Sequence, residues 1–284
     1  MSFVFIGTDN TIYTKTQLSD EPKKIEDGGK YIQILQLQDF TFLTVGTNNL
    51  LYLKTDINSP PSPVANSGAF LTISQLKDGS FVGVGTNKTI YTKAKLDSVP
   101  IAVPADKGAC CFLNIIELQN GSFVALGTGN SMYKKDKIDS KEVQAGQGNF
   151  IDYIELDDKT FALIGTGSQL YTKAKLEDMY TEVSDGGGRY KRIIQLQDKT
   201  FVCIGTDNQI YTKKTISAVP VKVGAGMFMN LIQLKSKSSG ASMVLYILIV
   251  IFVIIALLLL FRRQIFNPNM NEFIESILKL VQLA

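Results

Sequence analysis

The chain has 284 residues, with 29 Lys and Arg against 26 Asp and Glu, and it contains neither histidine nor tryptophan. Five basic residues (Lys235, Lys237, Arg262, Arg263, Lys279) and two acidic ones (Glu272, Glu275) lie from Lys235 onward, so the first 234 residues carry 24 of each sign and offer no basic stripe for a nucleic acid. The lack of histidine removes every His-based triad, every His metal site and the commonest general acid–base group near neutral pH, which argues against hydrolase chemistry.

The first predicted element is a strand–turn–strand phrase, FVFIGTDNTIYTK from Phe3, and five further copies follow, ending with FVCIGTDNQIYTK from Phe201. Their Gly-Thr pairs stand at Gly7, Gly46, Gly85, Gly127, Gly165 and Gly205, at spacings of 39, 39, 42, 38 and 40 residues. A period near 40 built from short strands predicts propeller blades rather than a helical solenoid. In the third copy, FLTISQL (70–76) passes through Asp78-Gly79 to SFVGVGT (80–86). TIYTKAK follows after Asn87-Lys88, and PIAVP (100–104) completes a four-stranded unit. Turn pairs of this kind between apolar runs are the strongest local hairpin signal.

The two ends of the repeat array complement each other. The first strand of the unit recurs at 31–37, 70–76, 112–118, 150–156, 190–196 and 228–234; it is missing before Phe3, and the last copy has no phrase after it. Pairing the strand from Phe228 with the N-terminal phrase completes a blade and removes the open sheet edges. The expected fold of residues 1–234 is therefore all-β, a six-bladed β-propeller of four-stranded blades closed by its N- and C-terminal strands.

Every copy keeps the Phe, the Gly-Thr, a Tyr (Tyr13, Tyr52, Tyr91, Tyr133, Tyr171, Tyr211) and a Lys (Lys15, Lys54, Lys93, Lys135, Lys173, Lys213). A position required by all six blades reads as architecture, the alternative for the Tyr–Lys pair being a ligand pocket repeated six times. Two sets of positions vary. One polar position in the first strand reads Gln33, Thr72, Asn114, Asp152, Arg192 and Asn230. The hairpin after Gly-Thr supplies the candidate ligand-binding residues Asp9, Asn10, Asn48, Asn49, Asn87, Asn130, Asp207 and Asn208. Loops on a rigid ring are where binding groups sit, although Asn and Asp also serve turn geometry alone.

The unit GT-[DN]-N-x-[IL]-Y-T-K, followed by a short Val-containing strand and a Gly-rich stretch, resembles the repeats of tachylectin-like and tectonin-type β-propellers across residues 1–234. The resemblance implies non-enzymatic binding of sugars, typically N-acetylated, in shallow pockets around the ring. Those repeats usually carry tryptophan, which this chain lacks, so stacking on a sugar would fall to Tyr or Phe. The repeats also resemble ones found in large DNA viruses of protists and algae, which implies a virion or viral membrane protein and a coat-protein partner. A six-bladed hydrolase of the sialidase kind is not expected. Sialidases hold their substrate carboxylate with three arginines, and only Arg189 and Arg192 occur in the body. Neither a cofactor nor a metal is expected.

Cys110, Cys111 and Cys203 form no disulfide framework, and each falls in a strand-like run that reads as a buried free thiol. After a linker at 235–242 comes a charge-free run of 19 residues from Met243 to Phe261 (243–261), which spans roughly 28 Å as a helix and predicts a transmembrane segment in contact with lipid. The chain opens directly into a strand, so the expected topology is a single-pass tail anchor with the propeller on the cytosolic side as made. Residues 262–284 predict an amphipathic helix, with Phe273, Ile274, Ile277, Leu278 and Val281 on one face, that lies on the membrane or pairs with copies of itself. The sequons at Asn87 and Asn120 matter only if the body reaches the secretory lumen.

Overall fold

The structure, a computed structural model, describes residues 2–104, 111–184, 188–236 and Glu275. Residues 1–235 form one compact unit and 236–284 a second, and the expected transmembrane and amphipathic helices lie outside the described residues. Among the described residues no helix is long and apolar enough to cross a membrane.

The first unit is a ring of six four-stranded antiparallel sheets. Blade 1 joins the two chain ends: Phe228–Gln233 is its inner strand, followed outward by Phe3–Gly7, Ile12–Lys15 and Lys23–Lys24. The inner strands of blades 2 to 6 are Tyr31–Gln36, Phe70–Gln75, Phe112–Glu117, Phe150–Glu155 and Tyr190–Gln195, each continuing outward through three strands in chain order. The expected closure is present, with Phe3 opposite Gln233 and Phe5 opposite Leu231. The outermost strands are only two residues long, which leaves little unpaired edge on the rim.

The core lies between blades rather than within one. The second strand of every blade, such as FVFIG, FLTVG and FVGVG, is buried at all five positions because a neighbouring sheet covers each face. That is why these strands read as continuous apolar runs instead of alternating. One cluster joins Val4, Ile6 and Ile12 of blade 1 to Tyr31, Ile34 and Phe42 of blade 2. Another joins Leu43, Val45 and Leu51 of blade 2 to Phe70, Ile73 and Phe81 of blade 3.

Each inner strand shifts register after its first residue, for example between Tyr31 and Gln33 and between Tyr190 and Arg192. A bulge of this kind re-aims the next side chain. The residue just past it is the variable polar position, and all six of these residues line the axial cavity.

A hydrogen-bond clasp then locks the blades together on the lower face. The sixth residue of each inner strand accepts a bond from a backbone N–H of the preceding blade. The six pairs are Gln75 with Gln38, Glu117 with Lys77, Glu155 with Gln119, Gln195 with Asp157, Gln233 with Gln197 and Gln36 with Lys235, at 2.6–3.0 Å. In the last pair the donor, Lys235, follows the C-terminal inner strand at the point where the other blades have a covalent loop to their second strand.

One cysteine departs from expectation. Cys203 is buried and free in the second strand of blade 6. Cys111 instead lies exposed just before a strand, at φ 75°, and is disulfide-bonded.

Candidate functional site

The invariant residues build the frame around each hairpin. The N–H of the Thr after each invariant Gly donates to the loop entering the same blade, as Thr47 does to the Lys30 carbonyl at 2.9 Å and Thr86 to Ala69 at 3.0 Å. The Gly admits the invariant Tyr ring: a Cβ at Gly85 would stand 2.7 Å from the Tyr91 Cε2. Tyr13, Tyr91, Tyr133, Tyr171 and Tyr211 meet the first aromatic of the inner strand edge-on, as in Phe70–Tyr91 at 6.1 Å and Tyr190–Tyr211 at 6.2 Å.

The invariant lysines are buried to within 2 % of full coverage, and Lys15, Lys54, Lys93, Lys135 and Lys173 donate to backbone carbonyls. Lys15 reaches Leu18 at 3.1 Å and Ala225 at 2.7 Å, and Lys93 reaches Asn66 at 2.7 Å. Lys173 bridges Ala145 and Leu176, at 3.3 and 3.0 Å. Each of these ties the loop entering the blade, and Lys15 and Lys173 tie in the turn after the third strand as well. Burial lowers the pKa of Lys15, Lys93, Lys135, Lys173 and Lys213. Lys54 differs, because its ammonium sits 2.5 Å from the Asp27 carboxylate, with both side chains buried. The lysines are therefore braces rather than the charged half of a repeated ligand pocket.

The candidate hairpin residues divide into two groups. Asn10, Asn49, Asn130 and Asn208 hold φ of 62–65°, the left-handed turn position that Asn tolerates. Their backbone carbonyls accept the N–H of the next blade's inner strand, from Tyr31, Phe70, Phe150 and Phe228 respectively. The Asn208 side chain also accepts a bond from Lys191 at 2.6 Å, and Asn130 borders the axial cavity.

Asp9, Asn48, Asn87 and Asp207 come one residue earlier and touch the phenol of the invariant Tyr. Here the blades differ chemically. Tyr13 and Tyr211 donate to the carboxylates of Asp9 and Asp207, at 3.0 and 2.7 Å. In blades 2 and 3 the direction reverses: the Asn48 and Asn87 amides donate to Tyr52 and Tyr91, at 2.7 and 2.8 Å. Those two phenols keep their own hydrogens, and each amide keeps a second N–H. In blades 4 and 5 the position is Gly129 or Gly167, and no such partner exists.

Cavities open at the two amide-bearing blades. One, of about 390 Å³, is lined by Gly29, Tyr31, Thr47, Asn48, Tyr52 and Pro61 among others. The other, of about 280 Å³, repeats the arrangement with Gly68, Phe70, Thr86, Asn87, Tyr91 and Pro100. In blade 5, Tyr180 stands where Pro61 and Pro100 stand and packs edge-on against Phe150 and Tyr171, at 5.8 and 5.0 Å. A third ring fills that crevice. Beneath the blade 2 cavity, burial pushes the Asp27 carboxyl up, but hydrogen bonds from Lys54, the Gly29 amide and Tyr31 outweigh it and hold the carboxyl below its usual range.

Sequence reasoning missed the Gln/Glu clasp and the role of the entering loop. The clasp has a signal in retrospect, since Gln36, Gln75, Glu117, Glu155, Gln195 and Gln233 occupy one position of the repeat. Among the described residues no cluster of acidic or cysteine side chains is arranged to hold a metal.

Fold and site define a six-bladed β-propeller with small repeated crevices on the hairpin side of its ring. Solved structures of similar fold include YCF48 bound to D1 peptide, at 12 % identity and a TM-score of 0.55, covering 77 % of this chain and 76 % of that one. YCF48 from Cyanidioschyzon merolae matches at 13 % identity and a TM-score of 0.53, over 80 % and 88 % of the two chains. PorZ, an essential surface component of the type-IX secretion system of Porphyromonas gingivalis, matches at 14 % identity and a TM-score of 0.51, over 71 % of this chain and 29 % of its own. At these identities the likeness is one of fold. No family model and no curated protein matches the sequence.

Proposed function

We propose that the protein is a non-enzymatic, membrane-anchored binding propeller that takes N-acetylated sugar residues in the crevices of blades 2 and 3. One observation carries the reading: the reversed Asn–Tyr hydrogen bond leaves a phenol O–H and an amide N–H beside each cavity. An acetamido carbonyl or a ring hydroxyl can accept from both, while the Tyr and Phe rings supply the apolar wall that tryptophan provides elsewhere. The test is a glycan array on the full chain in detergent. Saturable binding, competed by free N-acetylglucosamine and lost in Tyr52→Ala with Tyr91→Ala, supports the proposal. A blank array overturns it.

A protein partner is the second reading, and apolar residues on the outer edge favour it: Val99, Ile101, Val143, Val219 and Val221 are each more than half exposed. It gains from the peptide held by the YCF48 propeller. Stoichiometric association with a coat protein alongside a blank array would favour it, with the ring as a docking platform.

A further inference from the structure

The axial cavity is chemically separate from the crevices. It encloses about 490 Å³ and is bordered by the inner strands of all six blades. Its wall carries aliphatic residues such as Leu71, Leu113 and Ile151, the polar residue that the bulge sets in each blade, and Ser74, Asn130 and Lys191.

The hydrogen bonds of that polar ring are unevenly used. Gln33 grips the next strand at both ends of its amide, accepting from the Ile73 N–H at 2.9 Å and donating one N–H to the Ile73 carbonyl at 3.0 Å. The Asn114 carbonyl oxygen accepts from the Ile115 N–H at 2.8 Å and from the Thr72 hydroxyl at 3.3 Å. The Asn230 oxygen accepts from the Leu231 N–H at 2.8 Å. Asp152 accepts from Arg192 at 2.7 Å on one oxygen and from the Ile193 N–H at 3.0 Å on the other. These bonds have a common cause: an inner strand is a sheet edge, and its axial N–H groups need acceptors.

The acceptors are thereby engaged while donors remain. The amide nitrogens of Asn114 and Asn230, and the nitrogens of Arg192 other than Nη1, have no protein partner among the described residues. The lining carries two cations, Lys191 and Arg192, against one carboxylate, Asp152. That carboxylate is buried and holds the guanidinium in place, while Arg192 itself stays 37 % exposed.

We infer that the axial cavity binds one small organic oxyanion, a carboxylate or a phosphate ester with an apolar body, on the free donors of Asn114, Arg192 and Asn230. The aliphatic wall accommodates the body, and the volume falls within the roughly 300–1,000 Å³ typical of small-molecule sites. The anchored Arg192 gives the planar, multi-donor geometry that suits carboxylate and phosphate.

The test is calorimetric titration of the full chain in detergent with benzoate, phenyl phosphate and the uncharged benzyl alcohol. One site per chain is expected for at least one anion and none for the alcohol; the stronger anion tells whether carboxylate or phosphate is the preferred group. Asn114→Asp and Asn230→Asp keep the acceptor that the neighbouring N–H needs, but replace a free donor with a negative charge. Each is expected to weaken the anion at least about tenfold, a change of about 1.4 kcal/mol, with melting unchanged. Tyr52→Ala, in a crevice, leaves the axial affinity as it was. The inference is overturned if neither anion saturates by about 10 mM, an affinity of only a few kcal/mol. It is equally overturned if benzyl alcohol binds as well, or if both Asp variants bind like the parent.

Discussion

Six lysines occupy one position of the repeat, yet removing them should not have equal consequences. In Lys93→Met the brace to Asn66 and Ser67 is lost, leaving backbone carbonyls without their donor. That costs about 1–3 kcal/mol, lessened because an ammonium no longer has to be desolvated. In Lys54→Met the same kind of bond is lost and the Asp27 carboxylate, only 2 % exposed, is left without its countercharge. Stranding a buried charge costs about 3–5 kcal/mol. At about 2–4 °C per kcal/mol for a domain of this size, Lys54→Met should lower the melting temperature by roughly 10 °C and Lys93→Met by about half that. The pairing is isolated by a double-mutant cycle. Asp27→Asn in the Lys54→Met background should recover about 2 kcal/mol, because the stranded charge is gone. Thermal and urea melts of the full chain in detergent, followed by near-UV circular dichroism, measure all four proteins. Equal costs for the two lysines, with no coupling between positions 27 and 54, would refute the assignment of Lys54–Asp27 as a working ion pair.

The same pair sets an acid limit. Because the folded-state pKa of Asp27 is depressed, its contribution is complete above the unfolded value of about 4 and fades as pH falls through the folded one. The gap in melting temperature between the parent and Asp27→Asn should therefore shrink between pH 6 and pH 3, and a constant gap would contradict this. Asn48→Asp should turn the blade 2 phenol into a donor to the carboxylate, as at Asp9, and abolish sugar binding there while blade 3 still binds; a glycan titration counting sites reads this out. Tyr180→Pro should open the filled crevice of blade 5, visible as slower-relaxing solvent at that site by NMR, but add no sugar site because Gly167 offers no amide side chain. Gln36→Ala removes both clasp bonds to Lys235, a loss of about 0.5–1.5 kcal/mol per bond. Hydrogen exchange should rise in Phe3–Gly7 and Phe228–Gln233, which no covalent loop joins, more than Gln75→Ala raises it in the strands Tyr31–Gln36 and Phe42–Gly46, which a loop does join.

How much of this could be read in advance depends on whether the repeat recorded it. The blade count and the closure were legible because Phe3 lacks an inner strand and Phe228 lacks a hairpin, and a repeat of about 40 residues punctuated by turn pairs needs no tertiary information. The polar position past the bulge was legible as a position, but its direction was not. Gln33 and Arg192 look alike in a sequence, and only the register shift shows that both border the axis. The hairpin candidates were legible as turn residues, yet one letter hides opposite chemistry: Asn48 gives a hydrogen to its Tyr whereas Asp9 takes one. The clasp was overlooked because Gln and Glu read as solvated surface until a backbone N–H from the next blade is placed against them.

The symmetric features and the asymmetric ones also belong to different tasks. Lysine braces, Gly-Thr hinges and the Gln/Glu clasp repeat because every blade faces the same problem of holding its neighbour. The amide–phenol pair occurs in two blades and the Asp152–Arg192 pair at one sector of the axis, and neither is needed to close the ring. Blades 4 and 5 do without the first, and blades 2 and 3 carry uncharged groups at the axis, Gln33 accepting from the Ile73 N–H and Thr72 donating to Asn114. A departure from sixfold symmetry that the frame does not require is where a ligand's own asymmetry would be read, which is why the binding tests fall on Asn48, Asn87, Asn114 and Asn230 and the stability tests on Lys54 and Gln36.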